Sequence, residues 1–131
     1  MRYQFLVSAG AREDMLECAR ADRRAAADIA IFLQEVMDDA TACEALIDTS
    51  VYYEDGIESV DLFAFMQDQR VNAYRVRLVN VGEWRIISAA DHKGKRVGIF
   101  GVMHRDRRYQ EDVAYCRRIE TEYDNYDFPR Y

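Results

Sequence analysis

Arg75 and Arg77 stand two residues apart in Tyr74-Arg75-Val76-Arg77-Leu78, and Arg85 follows in Trp84-Arg85-Ile86-Ile87. A spacing of two puts side chains on one face of a β-strand. Guanidinium is planar, keeps its charge and offers forked donors, so a sheet face lined with it suits phosphate oxygens. Arg105 closes the next apolar run, with His104 before it and Tyr109 after it. The unperturbed pKa of histidine lies near neutrality, which fits it for proton transfer. A tyrosine can move a proton or stack on a splayed base. A single strand arginine is ordinarily a solubilising residue, so the argument rests on the cluster.

Charge along the chain sharpens this reading. From Arg70 to Arg108 there are ten Lys/Arg against three Asp/Glu, a formal charge of +7. The rest of the 131 residues carries 8 basic against 21 acidic residues, or −13, which hides the patch in a net charge of −6. Lys93, Lys95, Arg96, Arg107 and Arg108 belong to the same stretch and are candidate contacts to a nucleic-acid backbone. The bland alternatives are a charged hairpin for the first three, and helix-start pairing with Glu111 and Asp112 for the last two.

These residues need elements to position them. Tyr3–Val7 reads as a strand, and Ser8-Ala9-Gly10 as a break. Ala11 to about Ala21 reads as a helix, and a longer helical pattern runs from Asp22 to Ile47 through Ile29, Phe32, Leu33, Val36, Met37 and Ala40. Asp48–Gln69 is irregular, with turn formers Ser50, Asp55, Gly56 and Ser59 and a short helical turn near 60–69. Strand patterning starts at about Ala73. Tyr74–Leu78, Trp84–Ile87 and Arg96–Met103 are separated by turns at 81–83 and at 91–95, where Gly94 supplies the flexible position. Tyr109, Val113, Cys116, Ile119 and Tyr123 step as a helix, and an aromatic tail follows. The expectation is one α+β domain over 1–131: a strand and helical hairpin packed on an antiparallel sheet ending in a three-strand meander, then a C-terminal helix. The long helices should cover one sheet face and leave the other, with the arginines, to a ligand.

Composition narrows the class. One Pro and six Gly argue against a linker-rich chain. No apolar run approaches the ~18 residues of a membrane span, and the N-terminus lacks a signal-peptide core. Cys18, Cys43 and Cys116 are odd in number and widely spaced, which fits reduced, buried thiols in a cytoplasmic protein. With only His92 and His104 and no paired cysteine spacing, neither a metal site nor a cofactor is expected.

Three pieces of the chain resemble the RelE/ParE superfamily of type II toxin–antitoxin toxins. Tyr-Arg-Val-Arg-Leu at 74–78 resembles its aromatic-basic-x-basic strand. Gly82-Glu83-Trp84-Arg85-Ile86-Ile87 resembles its second hairpin strand, and His104–Tyr109 its last-strand arginine with a tyrosine beyond. The likeness covers about Ala73–Gln110, and the 48–69 stretch looks longer than usual for the family. The resemblance implies a ribosome-dependent endoribonuclease that cuts mRNA without a metal and inhibits translation. Arg75, Arg77, Arg85, Arg105 and Tyr109 fill the five family positions, with arginine at the first two where lysine is common. It also implies a cognate antitoxin as partner, through a homodimer or a toxin–antitoxin hetero-oligomer. The alternative within the superfamily is a ParE-like toxin that poisons DNA gyrase by protein binding. An inactive binding module of the same fold is the third reading.

Overall fold

The computed structural model describes residues 3–106 and 112–131. It is α+β, as expected. Strand β1 (Gln4–Val7) leads into helix α1 (Ala9–Ala21), whose N-cap Ser8 accepts a hydrogen bond from the Ala11 amide. Asp22 adopts an extended conformation, closes α1, and caps α2 (Arg23–Asp38) by accepting from the Ala25 amide. The helical pattern expected to run on to Ile47 is broken at Asp39. Its carboxylate accepts from the amide and hydroxyl of Thr41, a local bond that competes with helix continuation. The chain then tightens into a 3-10 helix, Ala40–Ile47.

The stretch read as irregular is a hairpin. Strands β2 (Tyr52–Glu54) and β3 (Ile57–Leu62) pair antiparallel across Asp55-Gly56, both at positive φ (53° and 82°). Two left-handed residues give the strand twist that a two-residue hairpin needs. Helix α3 (Ala64–Asp68) follows, then β4 (Ala73–Leu78), β5 (Trp84–Asp91), β6 (Arg96–His104) and α4 (Val113–Asn125). The last three strands form the expected meander. The whole is a six-stranded sheet in the order β1-β6-β5-β4-β3-β2, mixed because β1 runs parallel to β6. At the β5–β6 turn the positive φ falls on Lys95, not on Gly94. Gly94 is needed for another reason: a Cβ there would lie 2.2 Å from Asp91 Oδ2.

Two apolar layers sandwich the sheet. On one face α1, α2 and the 3-10 helix pack on Val76, Leu78, Ile86, Val97, Ile99 and Val102. On the other, Ile119 and Tyr123 of α4 and the tail residue Phe128 pack on Ala73, Ile87, Ala89, Phe100 and Met103. This corrects the expectation that the second face lies bare. Helix α4 and the tail cover much of it, and only its arginine end stays open. The three cysteines are buried and free. Burial raises the thiols of Cys18 and Cys43 to about 11.

Candidate functional site

Alternation along β4 sends Tyr74, Val76 and Leu78 into the first layer and leaves Arg75 and Arg77 half-buried on the second face. The β4–β5 register pairs Arg75 with Ile87 and Val76 with Ile86, so the next pair sets Arg77 beside Arg85. Arg85 in turn faces Met103 of β6, and Arg105 lies just past the end of that strand. The four arginines line one cleft of about 120 Å³ together with Asp61 of β3, which pairs with Arg75 in the sheet.

Each guanidinium is held differently. Arg75 lies over the Phe63 ring, 5.9 Å from its centroid. Arg85 is only 8% exposed, and its Nη1 donates to the carbonyls of Gly82 (2.9 Å) and Trp84 (3.1 Å). Burial lowers its pKa from the ordinary arginine value, and the like charges of Arg77 and Arg105 lower it further against Glu83 and Glu58. Arg105 is more than half exposed and forms an ion pair through Nε with Glu83. Its backbone amide donates to the Glu83 carbonyl at 2.7 Å, which ties the strand end to the β4–β5 loop. Four arginines and Asp61 line the cleft, and with Glu83 and Glu58 beside them the cations still outnumber the carboxylates four to three, a positive excess that an anion would relieve.

His104, Lys93, Lys95 and Arg96, also singled out in the sequence, do not join this cluster. His104 pairs with Trp84 in the sheet and sits edge-on to its ring at 5.2 Å. Met103 faces the second layer, so alternation turns His104 to the opposite face from the cleft. Its Nδ1 accepts from the Asp106 amide at 3.2 Å. Lys93, Lys95 and Arg96 lie at the far end of the β5–β6 hairpin, six residues along β5 from Arg85, or about 20 Å away. Lys95 Nζ lies 5.3 Å above the Tyr3 ring. Arg96 bonds Asp91 and donates to the carbonyls of Tyr126 (2.7 Å) and Asp127 (3.0 Å), fastening the tail. Arg107, Arg108 and Tyr109 lie outside the described residues.

Sequence reasoning missed Asp61 and Glu83. The signal for Asp61 was present in the Asp55-Gly56 turn, after which Ile57–Leu62 reads as a strand. Ser59 and Asp61 then share the face of Arg77 and Arg75. The register skips between Ile57 and Ser59, a bulge that no pattern in the sequence announces.

It also missed a charged network centred on Asp14 of α1, which is 5% exposed. Arg118 of α4 donates to both Asp14 oxygens, at 2.7 and 3.0 Å, and to the Phe100 carbonyl at 2.8 Å. The Asp14 carboxylate also accepts from the Val102 amide and the Tyr115 hydroxyl, each at 3.0 Å. Glu122 accepts from Ser8 Oγ and the Gly10 amide. Burial draws the Arg118 pKa down, but the hydrogen bond and charge of Asp14 outweigh it, and the net direction is up. This network bolts α4 to α1 and β6.

No family model matches the chain, and no curated protein matches it. Among solved structures, the chain is similar to one from the crystal structure of an archaeal RelE–RelB complex from Pyrococcus horikoshii OT3. That match has 18% identity and a TM-score of 0.41, and covers 82% of this chain and all of the other. Among the described residues no helix is long and apolar enough to cross a membrane.

Proposed function

We propose that the protein is a toxin of the type II toxin–antitoxin kind, an endoribonuclease that cleaves translated mRNA and is held inactive by a cognate antitoxin. The observation that carries this reading is the cleft in which Arg75, Arg77, Arg85 and Arg105 meet Asp61. Four guanidinium groups on two strands and a strand end are far more than a buried structure needs. They suit the scissile phosphate of an RNA strand.

In the proposed reaction the 2′-hydroxyl oxygen attacks the adjacent phosphorus and the bond to the 5′-oxygen breaks. The products are a 2′,3′-cyclic phosphate and a 5′-hydroxyl. The Asp61 carboxylate takes the 2′-hydroxyl proton. The arginines neutralise the charge that builds on the phosphorane, a role in which one preorganised donor is worth about 10²–10³-fold in rate. Tyr109, four residues beyond Arg105, is assigned either the proton for the leaving 5′-oxygen or a stacking contact to a base, in which case solvent water protonates that oxygen. Lys93 and Lys95, at the far hairpin, would meet only a longer strand.

The antitoxin is expected on this cationic face, because an acidic segment laid over the arginines both covers the cleft and satisfies its charge. Cleavage of translated mRNA by the wild type and by Arg85→Ala, side by side, tests the reading. Strong cleavage by the wild type and near-background cleavage by the variant support it. Growth arrest without cleavage by either protein would transfer the protein to the gyrase-poisoning class.

A further inference from the structure

A second concavity lies on the other side of the sheet. It is a groove of about 470 Å³ between α2, the 3-10 helix and the turn of the β2–β3 hairpin. Its floor includes Phe32, Ala42 and Ala45, apolar side chains only half-buried against the first core layer. Its rim carries Glu35 from α2, Asp39 from the α2 cap and Asp55 from the hairpin turn, and among the described residues no Lys or Arg lines it. Among the described residues no salt bridge engages Glu35 or Asp55. The turn brings its carboxylate here because Gly56, at φ 82°, sits over Phe32: a Cβ there would lie 3.9 Å from the ring.

We infer that this groove docks a basic amphipathic segment of a partner protein, an apolar side chain entering the floor while flanking lysines or arginines meet the rim. Charge complementarity selects this occupant. An anionic segment would meet the exposed carboxylates of Glu35 and Asp55, whereas a cationic one would pair with them. A small polycation would satisfy the rim but leave the apolar floor in water, so the combination of floor and rim favours a peptide. The groove opens on the helical face of the sheet and the arginine cleft on the other, so a partner seated here leaves the cleft free. The site is distinct from the surface proposed for an antitoxin and takes a partner of opposite charge. It does not depend on the nuclease reading.

The test is an NMR titration of the ¹⁵N-labelled full chain with an alternating Leu/Lys peptide, a matched Leu/Glu peptide and spermine. The Leu/Lys peptide should give saturable shifts at Phe32, Ala42, Ala45 and Ile57, weakening with salt, while Arg77 and Arg85 amides stay in place. Glu35→Gln combined with Asp55→Asn should weaken binding about fivefold, in line with two exposed ion pairs. Ala45→Trp, which fills the floor, should abolish it. The charge-neutralised variant changes only exposed side chains and keeps the test decisive if Ala45→Trp does not fold. Shifts scattered over the acidic surface, equal binding of the Leu/Glu peptide, or equal groove shifts with spermine would each overturn the proposal.

Discussion

The arginine cleft and the charged network around Arg118 differ in what they lack. Around Arg118 the fold supplies acceptors to both terminal nitrogens, the two Asp14 oxygens and the Phe100 carbonyl, while Nε makes no hydrogen bond and has Glu122 at 3.7 Å as its ion partner. Around Arg85 the fold supplies two carbonyls and three further arginines, with Asp61, Glu83 and Glu58 as the nearby acids. The pKa directions follow. Asp14 raises Arg118 against its burial, whereas burial and like charge together lower Arg85. A satisfied arginine stabilises a junction between elements. A gathered and under-neutralised set costs stability unless an anion joins it, which is what the proposed function asks of this cleft.

Removing the anion at the satisfied cluster should therefore produce the largest loss of stability. Asp14→Ala removes at once the buried carboxylate that accepts from the Arg118 guanidinium, the Tyr115 hydroxyl and the Val102 amide. Breaking a buried pair from one side costs about 3–5 kcal/mol. Urea unfolding should show this as a fall in the midpoint at unchanged slope. A loss under about 1 kcal/mol would mean that α4 is not bolted through Asp14.

The mirror experiment removes a cation from the open cluster. Arg85→Ala and Arg105→Ala should each lower mRNA cleavage by about 10²–10³-fold, equivalent to roughly 2.7–4 kcal/mol of transition-state stabilisation. Arg77→Ala should leave unfolding free energy unchanged or slightly raised, because it removes like charge next to Arg85. If Arg77→Ala destabilises the fold as much as Asp14→Ala does, the contrast between the clusters collapses.

The two acids and the tyrosine sharpen the open cluster further. Asp61→Asn keeps shape and loses the proton acceptor, so cleavage should fall by about 10²-fold or more while binding of 2′-O-methyl RNA persists. Tyr109→Phe should lose as much as an arginine variant if its hydroxyl moves a proton. If the ring stacks, the loss should be several-fold only. Glu83→Gln releases Arg105 from its ion pair, and its effect should be smaller still, since exposed pairs of this kind are worth under about 1 kcal/mol.

The two clusters were unequally legible. The open one shows in sequence because β-alternation is local: Arg75 and Arg77 declare their shared face within five residues. The closed one does not, because Asp14 and Arg118 are 104 residues apart and meet only through the packing of α1, β6 and α4. His104 was grouped with the arginines by adjacency. Alternation carried one step past Met103 would have turned it to the other face. The β2–β3 hairpin was hidden because its strands carry Glu54, Glu58 and Asp61 at a sheet edge, where the apolar pattern is weak. The long α2 pattern overran because Asp39 can cap a helix as readily as sit on its surface.

Phosphate binding offers the most direct comparison of the clusters. Inorganic phosphate should bind the open cleft and raise thermal stability, whereas the Arg118 cluster, already holding its carboxylates, has no acceptor to exchange. At ten times the dissociation constant a single site adds about 1.4 kcal/mol, a few degrees in melting temperature for a domain of this size. The shift should disappear in Arg77→Ala and survive in Glu122→Gln, which alters only the closed network. Chloride at the same ionic strength should not reproduce it, since screening alone does not reward forked geometry. An equal shift in wild type and Arg77→Ala would place the phosphate elsewhere and remove the cleft's claim to be an anion site.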